Sequence, residues 1–139
     1  MKWTVRDCEK GDIIRVRLGT VYHYGVFLSE DEVIAFGYPP LPEYQGRQKE
    51  IAVLSTDIDT FSCSNMIEAP VYSLKEKLKK RSPAKVEAIA RARIGETGYN
   101  IIHNNCEHFA NDVVFGVRYS EQEDQVRRKW AQYSQKNSI

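Results

Sequence analysis

Tyr22-His23-Tyr24-Gly25-Val26-Phe27-Leu28 reads as a β-strand, so dense in aromatic and apolar side chains that it belongs at the centre of a sheet. Upstream, Gly11-Asp12 marks a turn. It leads into Ile13-Ile14-Arg15-Val16-Arg17-Leu18, a β-branched and aliphatic run that forms a strand and ends at Gly19. Downstream, the polar turn Ser29-Glu30-Asp31-Glu32 leads to Val33-Ile34-Ala35-Phe36, and a connection this short pairs the third strand antiparallel with the second. Residues 37–42 hold three of the five prolines and are loop. Glu50-Ile51-Ala52-Val53-Leu54 is a further strand candidate, followed by a loop rich in Ser, Thr and Asp, and Ala69-Pro70-Val71-Tyr72 is a short one.

The second half changes period. Ser82-Pro83 opens a helix with a cap residue and a proline at the first helical position. Val86, Ile89, Ala90 and Ala92 follow at helical spacing, and Gly95 stops the run. After the extended link Tyr99-Asn100-Ile101-Ile102, Asn105 caps a second helix whose Cys106, Phe109, Ala110, Val113 and Val114 share one face and whose end is Gly116. A polar helix over about 121–133 closes the chain. The pattern predicts an α+β fold, a small antiparallel β-sheet packed against helices, in one domain over 1–139. Its core spans about 8–126, with a polar helix or tail after it.

With 139 residues the chain can bury a core without staples. Lys and Arg total 20 against 19 acidic residues, a balance that argues against a nucleic-acid partner. The basic run from Lys75 to Lys85 contains Glu76 and reads as a solvated helix face and loop. Cys8, Cys63 and Cys106 are odd in number and form no CxxC pair. With only three histidines no zinc-ligand spacing can be assembled, so no metal, no cofactor and a reducing compartment are expected. No apolar run serves as a secretion signal or a membrane span, which makes a cytoplasmic location the expectation.

Chemistry concentrates in Asn104-Asn105-Cys106-Glu107-His108-Phe109. A cysteine in the first turn of a helix meets unpaired backbone N–H groups and the positive end of the helix dipole, which stabilise the thiolate and lower its pKa. The same groups can donate to an oxyanion. Buried cysteines in helices also serve simply as small core residues. A nucleophilic cysteine needs a base aimed at it. His108 lies two positions on and faces away around the helix, which suits a structural role, and His103 precedes the cap and suits the surface. His23 sits in an apolar strand, where an imidazole pays for desolvation unless it has a partner. It is either a satisfied core histidine or the base that Cys106 lacks.

The stretch Asn105-Cys106-Glu107-His108-Phe109 resembles the signature of the lecithin retinol acyltransferase-like family, which includes the phospholipase A/acyltransferases. Gly11-Asp12-Ile13-Ile14 resembles the family's opening strand, and His23-Tyr24-Gly25-Val26-Phe27-Leu28 its histidine box. Phe109-Ala110-Asn111-Asp112, Gly116-Val117-Arg118-Tyr119-Ser120 and Asp124-Gln125-Val126 resemble the region after the nucleophile. Together these pieces span most of residues 8 to 126 in the family's order. The resemblance implies a circularly permuted NlpC/P60, papain-like fold. It implies Cys106 as a nucleophile that carries an acyl group as a thioester, and His23 as its base. Tyr24 and Asn105 become candidates for holding the oxyanion or orienting the site.

Two departures bear on function. The family carries a second histidine on the next strand to orient the first; here that position is Ala35 or Phe36, neither able to hydrogen-bond through its side chain. Membrane-acting relatives often carry a hydrophobic C-terminal anchor, and the polar stretch from Arg127 leads to the expectation of none here. The aromatic loop 36–44 leaves a peripheral membrane contact open, and the oligomeric state is not specified. The expectation is a cysteine acyltransferase or hydrolase acting on an acyl-bearing small molecule or lipid, with activity reduced by the missing histidine. An NlpC/P60-like cysteine peptidase or amidase, or an impaired family member serving as a binding module, stand as alternatives.

Overall fold

The computed structural model describes residues 1–37, 51–100, 105–117 and 127–132. Its strands are β1 (Lys2–Thr4), β2 (Ile13–Leu18), β3 (Val21–Ser29), β4 (Glu32–Phe36), β5 (Val53–Thr56) and β6 (Ile67–Val71). Its helices are α1 (Ile58–Ser62), α2 (Leu74–Lys79), α3 (Pro83–Ala92) and α4 (Cys106–Phe115), with residues 127–132 also helical. The strands form one open sheet in the order β1-β6-β2-β3-β4-β5, antiparallel throughout. The expected α+β architecture is observed, and the histidine strand β3 is central.

Alternation along the strands sorts the core into two layers. Ile13, Tyr24, Val26, Leu28, Ile34 and Phe36 face α3 and α4, where they meet Val86, Ala90, Cys106, Phe109, Ala110, Val113 and Val114. Ile14, Val16, Phe27, Val33 and Ala35 face the other way and pack with Phe61 of α1 and Ala69 of β6. β3 is therefore buried on both faces, which is why its sequence reads as a continuous apolar run rather than an alternating one. Gly25 allows Phe61 to approach. A Cβ there would stand 2.7 Å from the Phe61 ring and 2.9 Å from Val33, so no larger residue fits without displacing them.

Local signals placed most helix ends. Ser82 accepts from the Lys85 N–H ahead of Pro83, and α4 runs from the Asn105 cap to Gly116, which takes the left-handed conformation at φ +75°. Two elements went unread. α1 lies in the Ser/Thr/Asp-rich stretch expected to be loop; Asp57 caps it, and burial of Phe61 holds it to the sheet. β1 is too short to show a period and exists through its pairing with β6. The strand expected over 50–54 begins at Val53, and that expected over 69–72 begins at Ile67. Residues 38–50, 101–104, 118–126 and 133–139 lie outside the described residues, among them His103, most of the aromatic loop and much of the closing polar helix.

Candidate active site at the mouth of helix α4

α4 is buried nearly all round, and Cys106, its first residue, is only 5% exposed. The cap that sets its position is reciprocal. The Asn105 side chain accepts from the Glu107 and His108 N–H groups, both at 3.0 Å, while the Asn105 N–H donates to His108 Nδ1 at 3.1 Å. His108 thus has a structural job, pinning the residue before the cysteine. Asn105 also occupies two of the N–H groups at the helix mouth. The Cys106 N–H remains outside that pair.

A second backbone donor comes from the sheet. Phe27 N–H donates to Asp12 on the β2 side, and amides along an antiparallel strand alternate in direction, so the Tyr24 N–H turns toward β4. The β3–β4 ladder covers only Val26 to Ser29, and Tyr24 lies beyond its end. There its N–H lies near the Cys106 sulfur and favours the thiolate. The Tyr24 ring lies in the same core layer as Cys106. The ring is packed against Trp3 with centroids 6.0 Å apart, and its hydroxyl lies near the Arg15 guanidinium. Arg15 in turn stacks on Trp3 and Tyr22 at 4.4 and 3.9 Å and donates to Glu68 at 2.9 Å.

The thiol is not activated at rest. Burial pushes the Cys106 pKa up to about 11; the Tyr24 N–H pulls against this, the Glu107 carboxylate adds to it, and the local helix amides oppose it. The lowered pKa expected from the helix dipole is overridden, because desolvation of a buried thiolate costs more than the first-turn amides return. Sequence shows the helix start but not the depth of burial.

His23 is one residue before the amide that lies near the sulfur, so its side chain leaves β3 on the opposite face. Its ring lies on Phe61, centroids 5.0 Å apart, in the layer that also contains Ala35. His23 thus neighbours, along β3, the residue whose amide lies near the Cys106 sulfur, and no hydrogen bond joins the ring to the sulfur. His23 Nε2 is buried with no hydrogen-bond partner, and burial lowers the imidazole pKa to about 4. Of the two residues considered for the absent second histidine, Ala35 shares the His23 face and Phe36 points into the α4 layer.

The buried imidazole makes stability depend on pH. Its folded pKa of about 4 is below the ordinary 6.5, so between these values the unfolded chain binds a proton that the folded chain refuses. The contribution is fully present above pH 6.5 and is lost as the pH falls toward 4. The expected loss is about 3 kcal/mol. Urea unfolding across this range should show that slope in the wild type and not in a His23→Leu variant. Parallel profiles for the two proteins would show that the imidazole is not buried in its neutral form.

No described helix is long and apolar enough to cross a membrane. The model of the family described as Lecithin retinol acyltransferase matches residues 6–119. Among curated proteins, the lecithin retinol acyltransferase of Bos taurus is 29% identical over 134 residues, covering 83% of this chain and 58% of that protein. The Homo sapiens protein of that name is 28% identical over 138 residues, covering 84% and 58%, and the Mus musculus protein 29% over 139 residues, covering 86% and 60%. The chain spans under two thirds of the length of these curated relatives.

Proposed function

The chain belongs to the lecithin retinol acyltransferase family, and from that premise we propose that it transfers acyl groups from a lipid ester through a thioester on Cys106, with His23 as the base. The observation that carries this reading is a cysteine sulfur buried at a helix mouth, with the Tyr24 and Cys106 backbone N–H groups near enough to favour its ionised form. Two N–H groups so placed suit the oxyanion that forms when the sulfur attacks a carbonyl.

In the proposed sequence the Cys106 proton passes to His23 Nε2 and the thiolate adds to the ester carbonyl. The oxyanion collapses to a thioester as the leaving alcohol takes the proton from the imidazolium. An acceptor hydroxyl or water then gives its proton to His23, attacks the thioester and restores the thiol. The unpartnered Nε2 supports His23 in this role, since no existing hydrogen bond competes for that nitrogen, although burial opposes its protonation. The order of histidine strand before cysteine helix supports the permuted NlpC/P60 relationship.

In this reading the resting geometry differs from the reactive one. Burial raises the thiol pKa to about 11 and lowers that of the imidazole to about 4, so both groups are held neutral at rest. Substrate entry then brings ring and sulfur together. Ala35 offers the imidazolium no support, which favours as a second reading an impaired family member that binds the same ligands.

Incubation with a short-chain phosphatidylcholine followed by intact mass measurement tests the proposal. One acyl mass, located on Cys106 and removed by hydroxylamine, is the expected result; turnover without an adduct on Cys106 would refute the thioester route. Peptide amides assayed in parallel separate lipid transfer from a peptidase activity. An Ala35→His variant that gains turnover supports the dyad, whereas binding without turnover in both proteins favours the second reading.

A further inference from the structure

We propose that the outer face of α2 docks the protein on an anionic lipid bilayer. This surface is independent of the acyl-transfer reading and lies away from Cys106. Arg81, two residues past the end of α2, donates to the Asp112 and Val113 carbonyls at 2.7 and 3.1 Å, near the opposite end of α4 from the cysteine.

α2, Leu-Lys-Glu-Lys-Leu-Lys, inverts the usual arrangement of a surface helix. Leu74 is 75% exposed and Leu78 80%, while Glu76 is turned inward, accepting from the Ser73 N–H at 2.8 Å and lying 4.0 Å from the Met1 ammonium. The helix is held by this capping box, since none of its residues is buried. At 3.6 residues per turn the two leucines sit about 40° apart, with Lys75 on one side and Lys77 on the other. Val71, at the end of β6, is exposed as well.

The charges identify the occupant. Lys80 and Arg81 are engaged, the first with Asp12 and the second with the α4 carbonyls. Lys75, Lys77 and Lys79 are exposed and have no ion pair among the described residues. Two outward leucines ringed by three uncommitted ammonium groups match a surface with negative headgroups over apolar chains. The lysine stems lie along the apolar region and their tips meet the phosphates and carboxylates.

Flotation of the full chain with vesicles tests this. Wild type should bind phosphatidylcholine vesicles that contain phosphatidylserine and not vesicles of phosphatidylcholine alone, and high salt should release it. A Lys75→Gln/Lys77→Gln/Lys79→Gln variant should bind about a hundredfold more weakly, and a Leu74→Ser/Leu78→Ser variant at least about tenfold more weakly. All five positions are exposed, so thermal unfolding should match the wild type and separate lost docking from lost folding. Wild type that fails to float with phosphatidylserine, or variants that float as well as it does, would overturn the proposal. Sedimentation showing a wild-type dimer and a leucine-variant monomer, with no vesicle binding, would assign the face to a second copy instead.

Discussion

Cys106→Ala is expected to lower acyl transfer by at least about 10⁴-fold while leaving a folded protein. The sulfur is the atom that would carry the acyl group, and no neighbouring side chain substitutes for it. Cys8 and Cys63 are half-buried elsewhere on the chain, and Cys8 packs with the opposite layer. Removing one buried sulfur from a core that keeps Phe109 and Ala110 in place costs about 1 kcal/mol, too little to unfold a domain of ordinary stability. Cys106→Ser keeps the shape and tests the chemistry. With a base whose pKa is about 4, a hydroxyl is far harder to deprotonate than a thiol, so it should be nearly as inactive as the alanine form. Transfer rates on a short-chain phospholipid, with unfolding curves on the same preparations, check both variants. A folded Cys106→Ala protein with wild-type turnover would remove the cysteine from the reaction.

The largest loss of stability is expected at Asp12, a residue with no part in the proposed chemistry. Its carboxylate is fully buried in the turn before β2. It accepts from the Glu9 N–H at 2.8 Å, Arg6 at 2.9 Å, the Tyr72 hydroxyl at 2.8 Å and Lys80 at 3.4 Å. One group thus ties the N-terminal segment, the end of β6 and the α2–α3 connection to the central sheet. Burial works to raise its pKa, but Arg6, the Glu9 amide and Tyr72 together hold it below the usual carboxylate value. Asp12→Ala leaves two partly buried cations and a phenol without their acceptor, a loss of about 3–5 kcal/mol, a large share of the roughly 5–15 kcal/mol that holds a domain folded. Asp12→Asn, which retains two hydrogen-bonding positions without the charge, should fall between. Urea unfolding near neutral pH measures both, and a loss below about 1 kcal/mol in the alanine form would show that Arg6 and Lys80 rehydrate freely. The Asp12 contribution is present above the ordinary carboxylate pKa of 3.8 and is lost as the pH falls through its lower folded value. His23 acts between about 4 and 6.5, so the two acid transitions are separable.

Sequence by itself determined the features that rest on neighbours along the chain. The β-branched and aromatic runs gave strands β2, β3 and β4, and the short polar turn made the latter two antiparallel. Ser82-Pro83, Asn105 and Gly116 set helix ends, because caps are made by groups within a few residues of one another. The motif around Cys106 was legible for the same reason, and with it the family. Tertiary structure decided what depends on depth and on face. Strand parity sends His23 to the Phe61 layer and turns the Tyr24 amide toward the sulfur's side, and parity has no meaning until partner elements define two sides. The thiol lies near 11 rather than below its ordinary value because burial is a sum over the whole fold, which no local window contains. The four-way grip on Asp12 joins residues up to 68 positions apart, and α2 turns its leucines to solvent, a choice fixed by the sheet it borders and invisible in six residues of alternating charge.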